Sequence, residues 1–457
     1  MKISRIKKIL AIVLVVALCI LSTTATVSAK LSKPTNTIKT NGNGGKTDIG
    51  MWYVTYNNSR QFVSNFGTGF PIKYRMLMPD GSYGILDSSN VEYIDFQLKQ
   101  LAEAKVDFVL FDLTNGGLTS KVPFGWHGDE NGNPSDQIIL DAQLACERIA
   151  KWNQSNSWKI RYAIAVGTYS SLAGNQTSAQ VAEAQAEAVY NLFYQNKTYG
   201  KDHYTMDGKP LLVLFDWTKS SVQQLQQYRG LKTYCEKFTV RDAIQGHKGT
   251  YGWQAQKGAV VDDEVILISP GHDNSAGSES VNIPRDNGKF YQKCWETILT
   301  NKLPRIVMIS SFNDYHEQTA VFTADSSKCK DGYEAKWYDQ TGKINNSMYW
   351  DMTKDGIRLI RGANGEIKTE MKSMWFDLGN GKLPFEGNDN NNGDKNSNPS
   401  SSQDTNGINT DVTNPAGEDT KTAKSNTAII IVIVVTVIVI LGAAITIFVV
   451  LKRKNKK

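Results

Sequence analysis

Ser310-Ser311-Phe312-Asn313-Asp314-Tyr315-His316-Glu317-Gln318-Thr319 gathers two carboxylates, an imidazole, two amides and a phenol into ten residues. An apolar run, Ile306-Val307-Met308-Ile309, precedes them and reads as a buried strand. Asp314 and Glu317 stand three apart, so a turn after Ser311 would set both on one side. A like-charged neighbour in a partly dry pocket raises one carboxyl pKa, and a protonated acid beside an ionised base is what acetal cleavage requires. Paired carboxylates are the usual equipment for breaking a glycosidic bond. The same spacing suits a helix start, with Asp314 as cap and Glu317 in the first turn as half of a capping box. The two readings are compatible.

Positioning these groups is a matter of the surrounding elements. Strand-like apolar runs occur at 49–54, 106–111, 162–166, 211–215, 238–240, 250–253, 265–268 and 306–309. Between several of them the apolar residues recur at helical spacing: Tyr93, Phe96, Leu98, Leu101 and Ala102; Ile138, Ile139, Ala142, Ala145, Ile149 and Trp152; Val181, Ala184, Ala188, Leu192 and Phe193. Eight strands with helices between them predict an α/β fold of the (β/α)8 TIM-barrel type over 47–386. In such a barrel the residues just after each strand share one mouth. Trp52, Tyr53 and Tyr56 follow the first strand. Asp112 and Asn115 follow the second, with Trp126 and His127 further along the same loop. Asp216 and Trp217 follow the fourth. Trp253 and Gln254, then His272 and Asp273, end the next two candidates, and Asn313, Tyr315 and His316 surround the carboxylates of the last.

That mixture suits a sugar: aromatic faces stack on its apolar side, while carboxylates and amides replace the water its hydroxyls lose. Each residue alone also has a plainer reading. The tryptophans could pack the core, Asp112 and Asp216 could cap helices, and His127 and His272 could be surface or supporting groups. Other chemistries lack their motifs. His316-Glu317-Gln318-Thr319 begins like a zinc-protease HExxH, but Ala320 occupies the second ligand position. No GxSxG elbow, Walker loop, helix-opening GxGxxG or EF-hand loop occurs. Neither a metal nor a cofactor is expected.

Both ends read as targeting segments. Lys2, Arg5, Lys7 and Lys8 precede an apolar stretch and the small residues Val27-Ser28-Ala29, which predicts a signal peptide over 1–29. A polar leader, 30–46, follows. Residues 387–426, rich in Asn, Asp, Ser and Gly, cannot bury a core and are expected to form a disordered stalk. Residues 428–451 are apolar and uncharged, long enough to span a ~30 Å hydrocarbon core, and the basic 452–457 reads as a cytoplasmic tail. The expectation is a cell-membrane protein, single-pass, with a monomeric extracellular body. The formal charge is +6; four positive charges lie in the first eight residues and five in the last six, which leaves the remainder at −3 and argues against nucleic-acid binding. Cys146, Cys235, Cys294 and Cys329 fit no CxxC pattern and could be disulfides or buried thiols. Five Asn-x-Ser/Thr sites, at Asn57, Asn153, Asn175, Asn196 and Asn345, could carry glycans in a eukaryotic setting.

The stretch Ser311-Phe312-Asn313-Asp314-Tyr315-His316-Glu317-Gln318-Thr319 resembles the SFNEWxEGT signature of the endo-α-mannosidase-like glycoside hydrolases (family 99), related to the α-1,3-glucanases of family 71. Gly208-Lys209-Pro210, Ser269-Pro270-Gly271 and Arg285-Asp286-Asn287-Gly288, with Trp295, are similar to that group's other segments. The resemblance implies a (β/α)8 barrel that cleaves α-linked glycans, often inside the chain and with retention. It implies Asp314 as the base assisting the sugar 2-hydroxyl and Glu317 as general acid and then base. Three positions depart from the signature: Asp314 stands for Glu, Tyr315 for Trp and Gln318 for Gly. The shorter Asp314 leaves open an ordinary two-carboxylate mechanism, a glycan-binding protein without turnover, or a glycan transferase on the same fold.

Overall fold

The computed structural model describes residues 46–378 except 56–72, 86, 116–117, 119–136, 169–175, 217–232, 244–248, 254–257, 274–281, 330–334 and 369–371. Signal peptide, nearly all of the leader, stalk, span and tail lie outside the described residues. Among those residues no helix is long and apolar enough to cross a membrane.

Among the described residues seven strands run parallel: β1 Asp48–Tyr53, β2 Phe108–Leu113, β3 Arg161–Gly167, β4 Lys209–Phe215, β5 Thr239–Asp242, β6 Val265–Ile268 and β7 Ile306–Ile309. Their order across the sheet is β5-β4-β3-β2-β1-β7-β6. The first strand therefore pairs with the last, Met51 opposite Ile309, while β5 and β6 stand unpaired with each other at the two ends of the curled sheet. Helices α1 Val91–Glu103, α2 Gln137–Ser155, α3 Ser178–Val189, α4 Lys289–Leu299 and α5 Met348–Ala363 cover the outer face. The local signals act as expected. Asn90 caps α1 through the N–H of Tyr93, and Thr177 and Gln180 form a capping box at α3.

Strand alternation sorts the apolar residues into two layers. Met51, Tyr53, Val109, Phe111, Ile164, Leu212, Ile266 and Val307 pack outward against the helices. Trp52, Phe108, Leu110, Ala163, Ala165, Val213, Leu267 and Met308 fill the concave side. Small residues make room there: a Cβ on Gly50 would lie 2.4 Å from the Phe108 ring, and that ring stacks on Tyr204 at 3.9 Å.

The expected eighth strand, 250–253, is not one. Thr250 turns the chain instead, donating its hydroxyl to the Asp242 carbonyl (3.1 Å) and accepting the N–H of Gly252 (3.2 Å). Such side-chain bonds compete with a ladder. The sheet still curls far enough for Trp52 to bond the carbonyls of Tyr251 and Gly252 across the lumen, at 3.1 and 3.0 Å. All four described cysteines are buried free thiols.

At the N-terminal ends of β1 and β2 lies a charged cluster. Arg361 of α5 reaches Asp107, Glu366 (3.0 Å) and the carbonyls of Thr47 (3.2 Å) and Lys105 (2.5 Å). Asp48, bonded by the Tyr204 hydroxyl at 2.9 Å, is pushed up to about 7 by burial and then by the neighbouring Asp107 charge. The folded chain thus keeps a proton that the unfolded chain gives up near pH 4, so stability falls as pH rises from there to about 7. Asp48→Asn removes this contribution. Urea midpoints of variant and wild type are expected to diverge in the variant's favour across that window; a gap independent of pH would contradict the assignment.

Candidate active site

Beyond β7 the chain makes a closed loop. The N–H of Ser311 donates to the Thr319 carbonyl (2.9 Å), that of Val321 to the Ser311 carbonyl (3.0 Å), and the two side-chain hydroxyls of Ser311 and Thr319 meet at 2.9 Å. Asn313 pins the loop to β1: its amide accepts the N–H of Val54 (2.9 Å) and donates to the Val54 carbonyl (3.1 Å). Asp314 accepts the N–H groups of His316 (2.8 Å) and Glu317 (3.0 Å) on one oxygen. It therefore does what a cap does, although residues 315–318 form a turn and no helix follows.

This scaffold presents Glu317. One carboxylate oxygen accepts the indole N–H of Trp253 (2.5 Å) and meets His272 Nε2 at 3.2 Å. The side chain keeps 29% of its surface open. Burial pushes its pKa up, but the bond and charge of His272, the charge of His316 and the Trp253 N–H outweigh it, so the carboxyl sits below its ordinary value. His316, half-buried, is lowered by burial. Asp112, near the C-terminal end of β2, behaves oppositely. Burial raises it to about 6 despite two bonds from Thr114, and the Glu317 charge adds to the rise. The pair whose pKa values are driven apart is thus Asp112 and Glu317.

The known proteins that this chain resembles are remote. No family model matches the chain, and no curated protein matches it. Among solved structures, the GH99 endo-alpha-mannosidase from Bacteroides thetaiotaomicron in complex with BIS-TRIS-Propane is 14% identical, covering 70% of this chain and 99% of its own, with a TM-score of 0.48. A second structure of that enzyme is 13% identical over 69% and 98%, TM-score 0.42. A glycoside hydrolase-like protein is 10% identical over 71% and 97%, TM-score 0.41. The chain resembles this group. At that distance the functional reading rests on the site's own residues.

Several residues expected at a sugar site sit elsewhere. Tyr53 points outward, bonds Gln97 and stacks on Phe312 at 5.8 Å. Alternation decides this, because its neighbour Trp52 takes the lumen side. Trp52 itself is buried, edge-on to Trp253 at 4.9 Å, and supports that indole from below. Tyr315 lies in the core between Tyr74 and Trp337, its hydroxyl on the Phe322 carbonyl (2.9 Å). Asn313 is fully buried, with its amide on β1. These four shape the site from behind. Asp273 packs under the loop, its N–H on the Glu317 carbonyl (3.1 Å) and its own carbonyl receiving Gln318 Nε2 (3.2 Å). Asp216 is buried just past β4. Trp126, His127, Trp217 and Gln254, with Tyr56, lie outside the described residues.

Arg285 received no role from the sequence alone, although its segment was part of the family likeness. Its guanidinium lies 4.4 Å from the Tyr349 ring centre and 5.2 Å from that of Trp337, and bonds the carbonyls of Gln318 and, at 3.3 Å, Ala320. Its approach requires Gly271 (φ +151), where a Cβ would meet the Arg285 stem at 2.6 Å. Gln318 has φ +56, the left-handed region that the signature's glycine adopts without strain. No spacing rule could have flagged Arg285, since its partners are distant in sequence and two of the four are backbone carbonyls.

Proposed function

We propose that this chain is a cell-surface glycoside hydrolase cleaving α-linked glycans, of α-mannan or α-glucan type, endo-acting and retaining. Glu317 does the work of general acid and base, and Asp314 assists as a base that also holds the Glu317 backbone. The observation that carries the reading is the Glu317 carboxylate: part open, gripped by Trp253 and His272, and opposed by a second carboxyl of raised pKa. The basic and apolar segments at the two ends of the chain support an anchored ectodomain with a cytoplasmic tail.

The test incubates wild type with α-mannans, α-1,3-glucan and α-linked oligosaccharides and follows released reducing ends. Release establishes hydrolysis and names the linkage. Binding without release would replace the hydrolase with a capture protein, and sugar passed to added acceptors would make it a transferase. Asp314→Asn retains an oxygen for the two N–H groups and loses the charge. It is expected to cut cleavage by about 10²-fold with an unchanged melting temperature. Full activity in this variant would reduce Asp314 to a cap.

A further inference from the structure

The contact between Glu317 and His272 joins two segments 45 residues apart, so other groups must hold those segments in register. His272-Asp273 pairs antiparallel with Asn282-Ile283. Two bonds tie this pair to the Glu317 loop: the Asp273 N–H donates to the Glu317 carbonyl (3.1 Å), and Gln318 Nε2 donates to the Asp273 carbonyl (3.2 Å). Arg285, just beyond the pair, spans both pieces. Its stem lies against Gly271, and one guanidinium nitrogen donates to the carbonyls of Gln318 and, at 3.3 Å, Ala320. The residue is 4% exposed, with its guanidinium against the rings of Tyr349 and Trp337. Burying a cation is costly, and an apolar side chain would fill the space beside two rings at lower cost. Packing therefore accounts for the stem and the rings but not for the donors. What the donors add is a fixed place for the backbone that follows Glu317. That backbone needs one: Gln318 has φ +56, a conformation that a non-glycine residue holds where its surroundings impose it.

We propose that Arg285 is a positioning residue for the acid step: it holds the backbone after Glu317 against the His272 segment, so that the Glu317 carboxyl meets the leaving oxygen of a bound glycan. The inference rests on the glycosidase reading and leaves the acid and base work with Glu317. Arg285 touches no substrate in this role. It acts through two carbonyls, and a shift of the loop by about 1 Å is enough to cost about 10²-fold in rate.

The experiment measures wild type, Arg285→Met, Arg285→Lys and Arg361→Met at a temperature where circular dichroism shows all four folded. Two substrate kinds are used. One is α-mannan or α-1,3-glucan, whose leaving oxygen needs a proton. The other is the α-linked disaccharyl fluoride of the same sugar, whose fluoride leaves without one. Arg285→Met keeps an apolar stem beside the rings and loses the donors. It is expected to lower kcat on polysaccharide by about 10²-fold with KM nearly unchanged, and to lose far less kcat/KM on the fluoride. Arg285→Lys, which restores a donor without the planar fork, should recover part of the polysaccharide rate. Arg361→Met, destabilised at the other end of the strands, should keep both rates. Equal losses on the two substrates, a raised KM with unchanged kcat, or wild-type cleavage by Arg285→Met would overturn the assignment while leaving the hydrolase intact. Should Arg285→Met fail to fold, Arg285→Lys must show the unequal losses by itself, and equal ones would overturn the assignment. A wild type that cleaves neither substrate would overturn the hydrolase reading and Arg285's role with it.

Discussion

Replacing Glu317 by Gln is expected to abolish glycan cleavage, by about 10²–10⁴-fold or more in kcat/KM, with little change in stability. The substituted amide would still offer an oxygen to the Trp253 N–H, so the local bond that positions the side chain survives. What disappears is the charge that His272 and His316 hold in place. The side chain keeps 29% of its surface open, so solvent reaches the replacement and the cost to stability stays small. Activity and thermal unfolding should therefore separate: no released reducing ends, and a melting temperature shifted by less than the equivalent of about 1 kcal/mol. Retention of most activity would sink the assignment of Glu317.

Arg361→Met should produce the largest loss of stability, about 3–5 kcal/mol in urea unfolding at neutral pH. Met preserves the apolar stem but removes the guanidinium, whose carbon lies 5.1 Å from the Trp158 ring centre. It supplies no partner for Asp107 or Glu366, nor donors for the carbonyls of Thr47 and Lys105. Asp107 already stands above its ordinary pKa, driven by burial against the pull of Arg361. Without the guanidinium Glu366 keeps Lys46 at 3.0 Å, but Asp107 keeps the Ile49 N–H (2.6 Å) and loses its cation, and the loss should shrink in acid as it protonates. Arg361→Lys should recover part of the stability by restoring charge without the fork geometry. A loss below about 1 kcal/mol would place this cluster with weak surface pairs.

The periodicity of the chain by itself determined most of the elements. Seven of eight strand candidates, and helices α1, α2 and α3, stand where apolar spacing puts them, because burial of one face is written locally at periods of two and 3.6. The signature loop was legible for the same reason: Ser311, Asp314 and Thr319 bond mainly within the loop itself. The failing strand, 250–253, carried an apolar pattern but lies where Thr250 and two glycines favour a turn. Tertiary structure alone decided which groups meet. Glu317 finds Trp253 at a separation of 64 residues and His272 at 45, and Asp112 faces it only because the sheet curls. Whether a residue past a strand end looks into the lumen or behind it depends on that curl and on strand register. So Trp52 and Tyr53, adjacent in sequence, part to opposite sides of the sheet, and Tyr315, between the two carboxylates in sequence, is carried into the core.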